Sequence, residues 1–118
     1  DLKEFGRCKD TADAHRIRQL KMPAQYLAQN AERYSFNLHG PCIGAGIELP
    51  AFAGHVSATR DAFFKLPELS MGLIPGAGGC VSIPRRIGRQ RTNYMAITGV
   101  ELSSEQAMSL GLVDEILD

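Results

Sequence analysis

The chain has 118 residues, enough for about one domain, and its 44% hydrophobic and 22% charged residues are ordinary for a globular protein. Thirteen basic and thirteen acidic side chains give a net charge of zero. That balance argues against a general function in binding nucleic acid or a membrane surface, because both usually need a basic excess.

Cysteine usage indicates a reducing compartment. Cys8, Cys42 and Cys80 include no CxxC pair, so neither a disulfide framework nor a zinc site is predicted. We therefore expect a cytoplasmic location, or the mitochondrial matrix if the source is a eukaryote. No apolar run approaches the ~20 residues that span a bilayer, and no signal peptide is visible at residues 1–4.

The first third of the chain is predicted to be mostly helical. Apolar residues recur at helical spacing over residues 11–33. Pro23 either ends one helix near Leu20 or begins a second one. Residues 34–38 alternate apolar and polar side chains, which predicts a short strand, and the turn-rich residues 39–46 follow it.

The next segment combines a short helix with two strands. Residues 47–53 are predicted to be helical, although Pro50 lies among them. Pro50 is tolerated only if the helix begins at residues 45–47, so that the missing N–H falls in the first turn. Strands are expected at residues 55–59 and 62–65.

A second glycine-rich turn opens the helical part that follows. Residues 67–75 are predicted to be irregular. The glycines of residues 76–79 lead into a helix that is expected to break near Pro84 or Gly88 and to resume over residues 89–98.

The last predicted helix has clear boundaries. Ser103 and Gln106 have the spacing of a capping box, in which each side chain bonds the other's backbone. Gly111 is a natural residue to follow the helix end, and residues 112–116 are predicted to form a final strand. Strands interleaved with helices indicate an α/β fold.

The feature with the clearest chemistry is a strand, a glycine turn and a helix that carries Glu48. The start of a helix presents free N–H groups and partial positive charge, which stabilise an anion or an oxygen that becomes negative during a reaction. A tight packing turn is the alternative. Residues 44–46 and 76–78 both lack the third glycine of a dinucleotide fingerprint, and neither turn has the ending of a P-loop.

Residues 44–49, Gly-Ala-Gly-Ile-Glu-Leu, resemble the oxyanion-hole segment of the crotonase superfamily, the enoyl-CoA hydratase/isomerase family. Residues 64–79 resemble the second signature of the same family. Other segments that fit the family pattern are residues 1–4, 98–99, 104–107 and 111–115. The resemblance implies the crotonase-like ββα spiral core, with short strands and helices in repeating turns.

The resemblance also implies an acid/base pair. Glu48 and Glu68 have the separation found in family members that hydrate 2-enoyl-CoA thioesters to 3-hydroxyacyl-CoA. One glutamate would remove a proton as water attacks the β-carbon, and the other would supply or position the proton for the α-carbon. A Δ3,Δ2-enoyl-CoA isomerase, which needs one glutamate for proton transfer, is the first alternative. A non-catalytic acyl-CoA-binding or assembly fragment is an alternative of another class.

Further site residues are implied in the same way. The backbone N–H of Ala45 would stabilise the thioester oxygen, while Gly44, Gly76 and Lys3 would contact the water or the substrate. The N–H of Gly76, at the start of the next helix, would help to hold the water. No metal and no separate cofactor are expected, because coenzyme A is part of the substrate.

Each of these residue types has a plainer interpretation. Glu48 could merely stabilise its own helix through the dipole, and Glu68 could be an exposed loop residue. A solvated helix face is favoured over coenzyme A phosphate binding for the cluster Arg85, Arg86, Arg89 and Arg91. His55 is expected to be structural, and both Cys42 and Cys80 are expected to be small buried residues.

The resemblance implies a longer domain than these residues supply. Family members usually have additional βα units before this segment and helices after it, so residues 1–118 are expected to be the central part of a crotonase-like domain. The partners implied are an acyl-CoA substrate and further copies of the chain in a trimer or hexamer, without nucleic acid or membrane.

Overall fold

The computed structural model describes residues 9–118, so the predicted substrate contact at Lys3 and the cysteine at position 8 lie outside the described residues. The α-helices are α1 (Thr11–Leu20), α2 (Pro23–Gln29), α3 (Ala45–Glu48), α4 (Gly79–Ile87), α5 (Arg89–Thr98) and α6 (Ser104–Leu110). The strands are β1 (Ser35–Leu38), β2 (Pro41–Ile43), β3 (His55–Thr59), β4 (Phe63–Lys65), β5 (Leu102–Ser103) and β6 (Glu115–Leu117). The α/β class is therefore as predicted.

Helix boundaries follow local capping chemistry. Asp10 accepts a hydrogen bond from the Ala12 N–H at 2.9 Å and begins α1. Pro23 occupies the first turn of α2, as expected for a residue whose missing N–H costs nothing there. At α6, both bonds of the predicted capping box between Ser103 and Gln106 are present.

The strands form two small sheets. In one sheet β3 lies between β1 and β6, and all three strands are parallel. In the other, β4 lies between β2, which is parallel to it, and β5, which is antiparallel. Between β1 and β4 the chain visits the two sheets alternately, which produces successive turns of a spiral.

The register of the strands sets the length of one spiral turn. Ser35 pairs with His55, 20 residues later, and Cys42 pairs with Phe64, 22 residues later. Glu48 and Glu68, which are also 20 residues apart, therefore occupy comparable places in consecutive turns. The 20 residues that separate the two glutamates correspond to about one turn of the spiral.

Three strands differ from the sequence prediction. β2 lies inside residues 39–46, which were predicted to be a turn, and β5 was not predicted at all. Both are only two or three residues long, so pairing with β4 and not intrinsic propensity decides them. β6 begins at Glu115, three residues later than predicted, because the Leu112 N–H donates to the Ala107 carbonyl at the end of α6 at 2.8 Å and so takes no part in a strand.

Two prolines define how far helices continue. α3 ends at Glu48 and is followed by a 3-10 turn at Pro50–Phe52, so residues 47–53 are not one continuous helix. Pro50 lies outside α3 and begins the 3-10 turn, where its missing N–H needs no partner. α4 continues through Pro84 and ends at Gly88, where φ is 81°. Burial of Ile83 and Ile87 on one face offsets the hydrogen bond that Pro84 cannot make.

The core lies between the sheets and the helices that cover them. Phe64 and Leu66 of the β4 segment, Ile47 of α3 and Met95 of α5 are each 0% exposed. Burial of such side chains stabilises the fold by roughly 1.5–3 kcal/mol each. Ile47 is adjacent to Glu48, so core packing fixes the helix that carries this carboxylate.

The prediction of a solvated face for the arginine cluster is wrong at Arg86. Its guanidinium donates to the carbonyls of Ala51 and Ala53 and to both carboxylate oxygens of Asp114, with the Ala53 bond at 2.8 Å. Arg85, the preceding residue, is exposed as predicted. Arg86 therefore joins α4 to the segments before β3 and β6.

The two described cysteines differ. Cys42 is buried as predicted, and burial raises the pKa of its thiol. Cys80 is exposed, so its predicted burial is wrong; it lies on the outer face of the first turn of α4. Within residues 9–118, no helix has both the length and the apolar character that crossing a membrane requires.

Candidate active site

The glycine turn after β2 brings α3 against the next turn of the spiral. Gly44 has φ of 55°, a conformation that residues with side chains rarely adopt. Its N–H donates to the Lys65 carbonyl at 2.9 Å, which ties the turn to β4. Ala45 is the first residue of α3, so its N–H has no partner within the helix.

Glu48 is a buried carboxylate with a fixed orientation. Its side chain is 2% exposed. Glu48 Oε2 accepts hydrogen bonds from the N–H groups of Ala77 and Gly79, each at 2.8 Å. The glycine-rich turn before α4 thus surrounds this oxygen with two donors. A glutamate that merely stabilised its own helix through the dipole would not need these bonds.

The backbone of Glu48 is held as firmly as its side chain. Ser82, which is 0% exposed, donates from Oγ to the Glu48 carbonyl at 2.6 Å. This bond connects α4 directly to the end of α3. Sequence reasoning missed Ser82, because a lone serine inside a helix carries no signal for such a contact.

Glu68 is the second buried carboxyl. It begins a 3-10 turn at Glu68–Met71 and is 8% exposed, so it is not an exposed loop residue. Among the described residues, Glu68 Oε2 has no hydrogen-bond partner although it is buried. Burial raises the pKa of Glu68, and the neighbouring Glu48 raises it further.

Both carboxyls lie against Gly44. A Cβ atom added at Gly44 would collide with Glu68 Oε1 and would lie 3.9 Å from Glu48 Oε1. No side chain fits between the two glutamates at this point. The two carboxyls can therefore lie this close together only because residue 44 is a glycine.

A single cavity of about 440 Å³ contains these groups. Glu48, Glu68, Ala45 and Gly76 all line it. The apolar part of its wall consists of Met22, Pro23, Leu49, Met71, Leu73 and Ile74. An apolar pocket with a few converging polar groups is the usual form of a small-molecule site.

The structure places Gly76 differently from the prediction. α4 begins at Gly79, so Gly76 is three residues ahead of the helix and not at its start. It still lines the cavity, and the next residue, Ala77, supplies one of the N–H groups bound to Glu48. Gly44, predicted to contact the water or the substrate, lies against both carboxyls and does not line the cavity.

The positive charges at the cavity belong to residues that the sequence analysis did not single out. The cations that line it are Arg18 and Lys21 at the end of α1, and none of the four clustered arginines does so. Nothing in the sequence indicates that α1 lies over residues 71–77. Across the part of the chain that the structure describes, no group of three or more His, Cys, Asp or Glu side chains is placed to hold a metal ion.

Chemically, the cavity pairs two carboxyls in unequal environments. Two N–H donors stabilise negative charge on Glu48 Oε2, whereas burial favours the neutral form of Glu68. Titratable groups whose environments differ in this way can act as a base and an acid in one reaction.

Comparison with known proteins gives consistent matches. The family model described as enoyl-CoA hydratase/isomerase matches residues 36–118. An enoyl-CoA hydratase from Thermoplasma volcanium GSS1 is 38% identical, with a TM-score of 0.88, over 100% of this chain and 48% of that one.

Two further structures are similar at lower identity. DspI from Pseudomonas aeruginosa is 28% identical with a TM-score of 0.83, over 100% of this chain and 48% of that one. An enoyl-CoA hydratase subunit I from Geobacillus kaustophilus HTA426 is 26% identical with a TM-score of 0.80, over 98% of this chain and 44% of that one. The chain thus spans about half the length of the solved structures that it matches.

Proposed function

Because the chain belongs to the enoyl-CoA hydratase/isomerase family, we propose that the protein containing it hydrates a 2-enoyl-CoA thioester to a 3-hydroxyacyl-CoA. Glu48 and Glu68 are the acid/base pair in this proposal. The observation that carries it is the proximity of these two buried carboxyls, which both lie against Gly44 and line one cavity.

The environments of the glutamates support different roles. Glu48, held by two backbone N–H groups, accepts a proton from water as the water oxygen attacks the β-carbon. Glu68, whose pKa is raised, donates a proton to the α-carbon. Each turnover returns both groups to their starting states after proton exchange with solvent.

Backbone donors complete the proposed site. The thioester oxygen gains negative charge as the β-carbon is attacked, and the Ala45 N–H at the start of α3 stabilises it. Gly76, on the same cavity wall, positions the attacking water. Coenzyme A is part of the substrate, so the proposal requires no additional cofactor.

Hydration of crotonyl-CoA, followed by loss of enoyl absorbance, tests the assignment. Glu48→Gln and Glu68→Gln should each lower kcat by about 10²–10⁴-fold, the usual contribution of general acid/base groups. Glu101→Gln, at an exposed position, is the matched control and should retain activity. Full activity in either site variant would contradict the proposed pair.

The same variants separate the alternative functions. An isomerase would convert a 3-enoyl-CoA, and one of the two glutamine variants would retain that activity. A non-catalytic acyl-CoA-binding fragment would bind thioester without turnover in any variant. Circular dichroism of each variant distinguishes lost chemistry from lost folding.

Exposed apolar residues support self-association as part of the proposal. Ile74, Tyr94 and Ile97 are 70%, 59% and 72% exposed, and apolar surface of this kind often lies at interfaces. We infer a trimer or hexamer, which light scattering of the full-length protein would test. A monomeric mass would contradict this part. The cytoplasmic location remains a prediction from cysteine usage.

A further inference from the structure

The cavity carries two cations that the proposed hydration does not use. Arg18 and Lys21 are three residues apart on one side of α1, and both line the cavity together with Glu48 and Glu68. The rest of the cavity wall is mainly apolar. A molecule that fills this cavity therefore meets two carboxyls, apolar side chains and a pair of positive charges.

Arg18 lies close to the reacting groups. A Cβ atom added at Gly76 would lie 2.6 Å from Arg18 Nη2, so the guanidinium rests against the glycine turn. Ala77, the next residue, donates its N–H to Glu48 Oε2 at 2.8 Å. Given standard backbone bond lengths, the guanidinium is within about 10 Å of that oxygen.

We propose that Arg18 and Lys21 form an anion subsite that binds a carboxylate at the far end of the acyl chain. The inference rests on the proposed function and narrows its substrate class to 2-enoyl thioesters of short dicarboxylic acids. The enoyl group lies at the glutamates, the carbon chain lies along the apolar wall, and the terminal carboxylate meets the guanidinium.

Distance favours an acyl carboxylate over a phosphate of coenzyme A. The pantetheine arm separates the phosphates from the thioester by a long chain of covalent bonds. A carboxylate on a short acyl chain lies only a few bonds beyond the double bond. A cation this near Glu48 is therefore better placed to bind the acyl carboxylate than the phosphates. The planar guanidinium can bind both carboxylate oxygens at once.

Binding of saturated thioesters tests the subsite without depending on catalysis. Glutaryl-CoA carries the terminal carboxylate and butyryl-CoA does not, and neither can be hydrated. In calorimetry of the full-length protein, glutaryl-CoA should bind about 2- to 5-fold more tightly, the range of a solvent-exposed charge pair, because Arg18 and Lys21 are both exposed. Arg18→Gln should reduce the ratio of the two Kd values to about one, and Lys21→Met should reduce it partly.

Arg16→Gln is the matched control. Arg16 is on the same exposed helix but pairs with Asp13 at 2.9 Å and does not line the cavity. It should keep the wild-type preference. Equal affinities for the two thioesters in wild-type protein would overturn the proposal, and so would an unchanged ratio in Arg18→Gln.

Two further measurements separate the remaining explanations. In the first, an equal loss of affinity for both thioesters in Arg18→Gln, with no effect on pantetheine thioesters that lack the nucleotide phosphates, would mean that the cations bind coenzyme A. That result would refute the carboxylate subsite. If the preference for glutaryl-CoA held but no enoyl thioester were hydrated, the subsite would stand and the proposed function would fail.

Discussion

The N–H of Gly79 donates to Glu48 Oε2 at 2.8 Å, and the Cα of the same glycine leaves no room for a side chain beside that glutamate. A Cβ atom at position 79 would lie 2.6 Å from Glu48 Cγ. Ala77 donates to the same oxygen at the same distance, but at position 79 the Cα also lies against the Glu48 side chain, so this position has room only for glycine. Position 79 thus fixes where Glu48 points.

Gly79→Ala is expected to displace Glu48. Overpacking of this kind typically lowers the free energy of unfolding by about 1–3 kcal/mol, and we expect hydration activity to fall with it. Urea unfolding and kcat for crotonyl-CoA measure the two effects. Gly46→Ala is the control, since an added Cβ there meets no atom within 4 Å and alanine favours helix. Equal effects of the two substitutions would refute the steric argument.

The raised pKa of Glu68 predicts a specific dependence of stability on pH. A carboxyl whose pKa is raised by folding stabilises the fold below its unfolded pKa, and this stabilisation is lost as pH rises through the folded pKa. Glu68→Gln has no such loss, so its stability relative to wild type should increase as pH rises above about 4, the usual pKa range of an unfolded glutamate.

Glu105→Gln supplies a control of opposite sign. Its own backbone N–H and the Ser103 hydroxyl lower the pKa of Glu105, so the wild-type residue adds stability as pH rises. The stability of Glu105→Gln relative to wild type should therefore decrease as pH rises toward the unfolded pKa of about 4.3, below the pH range in which Glu68→Gln changes. Urea titrations at several pH values measure both trends, and a flat difference for Glu68→Gln would contradict its raised pKa.

Ser82→Ala should weaken the support of α3. The hydroxyl is fully buried and bonds the Glu48 carbonyl at 2.6 Å, so its removal is expected to cost about 1–3 kcal/mol. Because this bond holds the backbone of Glu48, kcat should also decrease while the affinity for butyryl-CoA changes little. Ser109→Ala, which removes an exposed bond to Gln106, should change neither quantity. A loss of stability without any change in kcat would limit Ser82 to a purely structural role.

Arg86→Met should destabilise the fold without changing the cavity. Arg86 donates to two backbone carbonyls and to Asp114, and its side chain is 11% exposed. Loss of these charged hydrogen bonds is expected to lower the free energy of unfolding by about 2–3 kcal/mol. Thermal unfolding measures the difference, with the exposed Arg85→Met as control. Similar melting temperatures for the two variants would show that the bonds of Arg86 from α4 to the segments before β3 and β6 do not stabilise the fold.

The parts of the fold that follow from local chemistry were predictable from the sequence. Pro23 marks the start of α2, Ser103 and Gln106 cap α6, and the alternation of residues 34–38 marks β1. Each signal depends on neighbouring residues only. The motif around Glu48 is of the same kind, since a glycine turn followed by a short helix is visible within a few residues.

Features decided by contacts between distant segments were not predictable. β2 and β5 exist because β4 pairs with both, and Arg86 is removed from solvent by carbonyls more than thirty residues away in sequence. The position of α1 over the cavity, which brings Arg18 to Gly76, likewise depends on tertiary packing. The roles assigned to Glu48, Glu68 and Ala45 stay predictions until the variants are assayed.

The spiral makes tolerance of insertions and deletions uneven along the chain. Residues 48–68 run from one glutamate to the other, and within them β3 pairs with β1 while β4 pairs with β2. One residue more or fewer inside either strand would shift its register, and in β4 it would also move Glu68 relative to Glu48. Length variation in descendants of this gene should therefore accumulate outside these strands, where a loop can grow without altering the distance between two acids.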